Sequence, residues 1–376
     1  MTSSLANDNG PRLRIGMFSP YSLTIPGGVQ AQVFGLVREM RRRGHEARVL
    51  GACDGPPPES FVTPLGNSLP LAANGSIAPI APDPAATLRT FHALRGESFD
   101  VIHLHEPLVP GPVMAALLVH SAPTVATFHA AGVSASYRLM RRPLSRMINR
   151  IDHKVVVSKD ALALVQAELG GEYEVLFNGV ELAEIGAVDP FLDGRDGLPT
   201  VFFCARHEER KGLQVLLDAL SHFDVEARIW IAGDGPETEA LQKRAGNDPR
   251  VEWLGRVSDE EKFARLRSAD VFCAPSLGGE SFGVVLIEAM AAGTTVVASA
   301  LDGYRNVATH GLDALLVPPG DPVALADALK KAMLDEDLAV ALRLAGSERA
   351  ERFAMSSLAS RYVDIYRDVI ASRMSS

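Results

Sequence analysis

Short runs rich in β-branched and aromatic residues alternate with stretches of helical periodicity along nearly the whole chain. This alternation limits the possible folds more than any other feature. Leu13–Phe18, Ala47–Leu50, Val101–His105, Thr124–Phe128 and Lys154–Val157 read as strands, with helical segments between them and a helix near Val29–Arg43 after the first. Strand–helix–strand units build parallel sheets, and their crossover helices cover both faces. Residues 53–85 interrupt the rhythm. Rich in Pro, Gly, Ala and Ser, they read as loop with little regular structure. Residues 183–198 lose periodicity and gather Asp, Gly and Pro, the composition of a linker. The rhythm restarts at Thr200–Cys204 and runs through Arg228–Ala232, Val251–Leu254, Val271–Ala274, Thr295–Ala298 and Ala314–Val317, and three helical patterns follow Asp321. The expectation is an α/β chain of two doubly wound domains, residues 12–182 and 199–352, facing a cleft at their strand C-termini, where open α/β sheets bind ligands.

The chain's 376 residues suffice for two domains of ordinary size. A formal net charge of −9 argues against a nucleic-acid partner, which demands a basic footprint. Cys53, Cys204 and Cys273 follow no metal or redox spacing, so a cytoplasmic location is expected. Residues 1–11 lack the apolar core of a signal peptide, and no apolar run reaches the ~18 residues of a membrane span. Any membrane contact is then peripheral.

Candidate chemistry concentrates in residues 275–293, PSLGGESFGVVLIEAMAAG. Glu280 lies among Gly278, Gly279 and Gly283 in a loop that feeds a helix. Glu288, eight positions on, sits deep on that helix. N–H groups at a helix N-terminus favour anions and carboxylates favour sugar hydroxyls, so the segment suits a phosphorylated, hydroxyl-rich ligand. A capped helix with a satisfied Glu is the plainer alternative. Pro26-Gly27-Gly28-Val29, after the first strand, allows close approach of a phosphate or forms a tight turn. In the second domain Arg206 follows a strand directly and Lys211 opens the next helix. Two cations there suit a diphosphate leaving group; a solvated charged turn is the alternative. Gly233-Asp234-Gly235-Pro236 is no dinucleotide fingerprint, because Thr238 stands where the third glycine belongs.

His129 ends a strand in the first domain, where it could bond a sugar hydroxyl or a loop carbonyl. His103 and His105 share a strand face and admit a metal reading, but no third ligand cluster accompanies them, and no metal is expected. Asp335-Glu336-Asp337 reads as a solvated loop between two late helices. Arg138, Arg141, Arg142, Arg146 and Arg150 fall on one helical face opposite Met140, Leu144, Met147, Ile148 and Ile151. That pattern describes a surface helix packed on the sheet or one docked on an anionic bilayer.

Taken together, these motifs resemble the family-4 retaining glycosyltransferases of GT-B fold, whose two domains are Rossmann-like, and within that family the actinobacterial phosphatidylinositol mannosyltransferases. The likeness spans about residues 13–368 and is strongest in SPYSLTIPGGVQ (19–30), DVIHLHEP (100–107), VATFH (125–129), NGV (178–180), LGRVSDEEK (254–262), RSADVFCAP (267–275) and GGESFGVVLIEAMAAGTTVVAS (278–299). It implies transfer of a hexose, with GDP-mannose the expected donor and an inositol-containing phospholipid the expected acceptor, at the inner face of the cell membrane and without a cofactor. It implies that residues 353–376 form a helix returning to the first domain. It places Gly28, Arg206 and Lys211 on the diphosphate, Glu280 on sugar hydroxyls, Glu288 on the ribose and Val257, Asp259 and Lys262 on the guanine. His129 falls on the family's active-site histidine, and Tyr21, Gln30, Asn74 and Ser76 fall on the acceptor side. Pro79 and Ala81 stand where those mannosyltransferases carry two arginines for the lipid headgroup phosphate, so another sugar nucleotide, or a soluble or glycolipid acceptor, stays open. A non-catalytic sugar-nucleotide-binding protein is the alternative of another class; the intact Glu280, Lys211 and His129 argue against it.

Overall fold

Alternation along each strand decides which face of the sheet it covers. The strands of the first unit are β1 (Arg14–Phe18), β2 (Glu46–Gly51), β3 (Val62–Pro64), β4 (Leu69–Ala73), β5 (Ser76–Ile80), β6 (Val101–His105), β7 (Thr124–Phe128), β8 (His153–Val156) and β9 (Glu174–Val175). Ile15, Val49, Val101, Val125 and Val155 join one hydrophobic cluster, while Phe18, Leu50, Ile102, Ala126 and Val156 join another on the opposite face. The first face is covered by the helices Gly28–Arg42 and Met355–Met374. The second is covered by Pro84–Glu97, Pro112–Val119, Arg141–Ile148 and Lys159–Leu169.

The computed structural model describes residues 10–73, 76–129, 141–191, 197–280 and 282–375. Two units emerge. Unit 1 runs to Gly179 and resumes at Met355; unit 2 is Val180–Ala354. Among the described residues, unit 1 builds a seven-stranded parallel sheet in the order β3-β2-β1-β6-β7-β8-β9. Unit 2 builds a six-stranded parallel sheet from β10 (Thr200–Cys204), β11 (Arg228–Ala232), β12 (Val251–Gly255), β13 (Val271–Ala274), β14 (Thr295–Ser299) and β15 (Leu315–Val317), in the order β12-β11-β10-β13-β14-β15. In each sheet the strand order reverses once, beside β1 and β6 in unit 1 and beside β10 and β13 in unit 2. Crevices open at such switch points. No described helix is long and apolar enough to cross a membrane.

Three expectations need correction. Residues 53–85 hold more structure than their composition suggests. β3 pairs in parallel with β2, and β4 and β5 form an antiparallel hairpin running from Leu69↔Ile80 to Ala73↔Ser76. Pro70 and Pro79 face each other across it and hide the strand signal, since proline is tolerated on such edges. The expected linker 183–198 opens with a helix, Leu182–Ala187, whose Ile185 is fully buried. Further on, Phe191 is pinned to unit 2 by the Ala264 carbonyl, the Ser268 hydroxyl and the Arg265 guanidinium over its ring. Only Asp335 of the acidic triplet lies between the late helices. Its carboxylate caps the helix Glu336–Glu351, and Glu336 and Asp337 occupy the first turn, where the helix dipole favours them.

Candidate active site

At the switch point of unit 2, the loops after β10 and β13 are pressed together. Gly212 has a φ of +72°, and a side chain there would collide with the Pro275 carbonyl oxygen. The Leu277 amide donates to the Arg210 carbonyl at 2.8 Å along the same seam. This close approach brings Lys211 Nζ to 2.6 Å from Glu280 Oε1, with the two side chains 18% and 11% exposed. Ser276 Oγ donates to the same oxygen at 3.1 Å and lies 2.9 Å from the Tyr304 hydroxyl. Burial, then the Glu280 charge, push the Tyr304 hydroxyl above its ordinary range. Arg210 reaches Glu280 only at 3.7 Å. Arg206 turns outward, 68% exposed, with Nε 3.2 Å from Glu208. Arg206, Lys211, Ser276 and Tyr304 line a cavity of about 250 Å³ floored by Phe203 and Phe272.

A second charged cluster sits beside the helix Val284–Ala291. Gly283 caps that helix at a φ of +93°, where glycine is favoured, without a side-chain hydrogen bond. Glu288, little more than one turn along, is held by Lys262 Nζ at 3.1 Å, and Lys262 is also 3.1 Å from Asp259. Burial raises the Glu288 carboxyl above its ordinary value, and Lys262 offsets only part of that. Burial alone would depress Lys262, but Glu288 and Asp259 outweigh it and hold the ammonium above its usual value. The half-buried Cys204 thiol beside them is pushed up to about 11, chiefly by desolvation. Val257 is half-buried in the loop ahead of the helix Asp259–Leu266. Unit 2 thus presents a lysine–carboxylate pair, an outward arginine and a second carboxylate paired with a lysine. That donor and acceptor set suits hydroxyls and phosphate oxygens.

In unit 1, Gly27 caps the helix Gly28–Arg42 without a side-chain bond, and the first turn carries no acidic residue. Gly28 is exposed, with open space where a Cβ would stand. Gln30, expected on the acceptor side, is buried, and its Nε2 donates to the Ser22 and Ile25 carbonyls at 3.1 and 3.0 Å. It fastens the loop before the helix. Tyr21 is half-buried on that loop, its phenol raised by burial and then by the Glu106 charge. Ser76 lies on β5, and Asn74 lies outside the described residues.

His129 follows β7 and is partly exposed. Its backbone N–H donates to Glu106 Oε1 at 2.5 Å, and its Nε2 lies 2.8 Å from His105 Nδ1. No described residue bonds its Nδ1. His103, behind them, is fully buried; its two nitrogens meet the Tyr366 hydroxyl at 2.7 Å and Thr127 Oγ1 at 2.8 Å. The HLHE segment therefore splits. His103 braces the core, while His105 and Glu106 hold His129. The charge pattern of Glu106 and the role of Ser276 and Tyr304 around Glu280 were missed in the sequence.

The arginine face is only partly described. Arg138 lies outside the described residues, and of Arg141 and Arg142 the structure gives only their place in the helix Arg141–Ile148. Leu144 and Ile148 are buried and Arg146 is exposed, as an amphipathic helix requires. The helix ends at Ile148, so the exposed Arg150 lies on the turn beyond it and not on the expected helical face.

The fold matches that of a glycosyltransferase from Rickettsia africae ESF-5 with a TM-score of 0.76 at 16% identity, over 96% of this chain and 99% of that one. Fold and site together define a glycosyltransferase of GT-B architecture. A family model described as Glycosyltransferase Family 4 matches residues 26–184, and one described as Glycosyl transferases group 1 matches residues 198–335. The phosphatidyl-myo-inositol mannosyltransferase of Mycobacterium leprae (strain TN) is 41% identical, over 96% of this chain and 98% of its own. That of Mycolicibacterium smegmatis is 39% identical, over 95% and 94%. The chain belongs to glycosyltransferase family 4.

Proposed function

We propose that this glycosyltransferase moves mannose from GDP-mannose to an inositol-containing phospholipid at the inner face of the cell membrane, with retention at the anomeric carbon. The lysine–carboxylate pair Lys211–Glu280, closed in beside a cavity at the switch point of unit 2, is the observation that carries the reading. The names of the full-length relatives support mannose and an inositol lipid. In this reading Lys211 and Arg206 neutralise the leaving diphosphate, Glu280 holds sugar hydroxyls, Glu288 holds the ribose, and Val257, Asp259 and Lys262 face the base. The C1–O bond to the diphosphate breaks, and its electron pair leaves with the diphosphate. An acceptor hydroxyl bonds C1 from the same face and gives its proton to the departing oxygen. Preorganised cations near that oxygen lower the barrier because the charge develops there. In unit 1, the uncapped N–H groups at Gly28 suit a phosphate, and His129 stands near the transferred sugar.

A second reading keeps the chemistry and changes the acceptor. Pro79 is part of the β4–β5 hairpin and Ala81 is fully buried, so neither can serve a headgroup phosphate as an arginine does. One experiment separates the two. Purified protein is incubated with GDP-mannose or other sugar nucleotides, with phosphatidylinositol vesicles, neutral vesicles or soluble inositol phosphates, and the products are read by mass spectrometry. Mannosylated phosphatidylinositol formed from GDP-mannose alone is the expected result. Transfer only to a soluble inositol phosphate, or only from another nucleotide sugar, overturns it.

A further inference from the structure

His105 carries the buried ring nitrogen of the histidine cluster that has no hydrogen-bond partner among the described residues. It is 1% exposed, its Nδ1 meets His129 Nε2 at 2.8 Å, and its Nε2 is buried with no described partner. Its ring is stacked on His103 with centroids 4.4 Å apart and lies nearly parallel to that of His129, edge to edge, with centroids 5.1 Å apart. Two neutral imidazoles sharing one contact must place one proton in it, from one side or the other. If His129 supplies that proton from Nε2, the His105 proton moves to its own Nε2 and becomes a buried N–H without an acceptor. If His105 supplies it from Nδ1, its Nε2 is only a bare lone pair. Orphaned buried N–H groups are rarer than under-satisfied acceptors, so the second arrangement wins.

We propose that His105 is a positioning residue that locks His129 in the Nδ1–H tautomer, so that His129 offers a hydrogen-bond donor and not a base from the nitrogen no described residue engages. The inference rests on the reading that His129 stands near the transferred sugar. A neutral N–H donor holds a hydroxyl oxygen there without placing a positive charge beside an anomeric carbon that is itself becoming positive. Desolvation holds His129 down at about 4 and His105 well below its ordinary value, so both rings stay neutral near pH 7. The Glu106 carboxylate, fixed on the His129 backbone, sets the height of the ring against His105.

The test combines a spectroscopic and a kinetic arm on the full chain. Imidazole ¹⁵N chemical shifts of histidine-labelled protein, with the His129 signal assigned from His129→Gln, read the tautomer without any substrate. The parent is expected to show His129 as Nδ1–H. His105→Asn keeps an N–H donor in the place of Nδ1 and is expected to retain that tautomer. His105→Phe removes the donor and is expected to release His129 to Nε2–H. Turnover of GDP-mannose should fall about tenfold in His105→Phe, the worth of one hydrogen bond, with a nearly unchanged donor KM, and His105→Asn should restore most of it. An Nε2–H or charged His129 in the parent overturns the proposal, whatever the variants do. So does an unchanged tautomer and rate in His105→Phe. If the parent transfers no sugar at all, the proposed function fails, while the parent's ¹⁵N spectrum still decides the tautomer.

Discussion

Replacing Lys211 by Ala tests the core of the unit 2 site. At 2.6 Å, with an effective dielectric near 20, the Lys211–Glu280 pair attracts by roughly 6 kcal/mol before the cost of desolvating both ions, which removes most of it. The pair is mostly enclosed, so little is lost to solvent screening. After Lys211→Ala, Ser276 Oγ still donates to Glu280 and Arg210 stays 3.7 Å away. The carboxylate is therefore not stranded, and the expected loss of folding stability is ~1–3 kcal/mol, below that of breaking a fully buried pair. The reaction loses more. A positioned charge aimed at a leaving diphosphate is worth ~100-fold in turnover, about 2.7 kcal/mol of barrier. Urea unfolding measures the first quantity and steady-state GDP release the second, with Glu280→Gln and the double variant run beside them. Stability losses that add across the pair would show that the two side chains do not couple. A folded Lys211→Ala protein with near-parental turnover would refute the assignment of Lys211 to the leaving group.

If Asp259 and Lys262 face the base, GDP should raise the melting temperature more than UDP or ADP at equal concentration, and equal shifts in thermal scans would contradict that. Desolvation holds His103 down at about 3 and His129 at about 4, below the 6.5 of an unfolded histidine. Between pH 6.5 and about 4 the unfolded chain binds more protons, so stability should fall as pH drops through that window, and a flat calorimetric profile across it would count against the desolvation of these rings. Turnover should survive saturating chelator, because the proposed chemistry relies on Arg206 and Lys211; abolition that is reversed by a divalent cation would overturn this. Flotation with anionic vesicles should weaken with added salt and with Glu at Arg146 and Arg150, each cation contributing roughly 1 kcal/mol; indifference of the parent to vesicle charge would remove the membrane reading.

The main sheets were legible because their strands are near-continuous apolar runs, which is how a strand covered on both faces must read. The order β3-β2-β1-β6 was not, since neighbour relations depend on crossovers that leave no local trace. Glu280 and Glu288 could be singled out by their glycine and helix contexts. The partners that tune them could not: Tyr304 reaches Ser276 from 28 positions away, and Lys262 reaches Glu288 from 26. His105 shows the sharper limit. In the sequence it is the second half of an alternating pair that suggested a metal. Only the register of β6 against β7, pairing His105 with Thr127 one residue short of Phe128, reveals that it faces His129. The β4–β5 hairpin escaped because its prolines imitate a loop.

The helix Met355–Met374 has a bearing on how the protein is made. It buries Met355, Ala359, Tyr362, Val363, Ile365, Tyr366 and Val369 in a core whose other walls come from the first 179 residues. Large side chains so buried are worth ~1.5–3 kcal/mol each, and together they rival the ~5–15 kcal/mol by which whole domains are stable. Unit 2 is continuous and is complete on the ribosome before this helix is translated. Unit 1, begun first, must wait for the last stretch of chain to seal it. The nascent order of folding is thus expected to run opposite to the order of synthesis, with the earliest-made half exposed longest to chaperones and proteases.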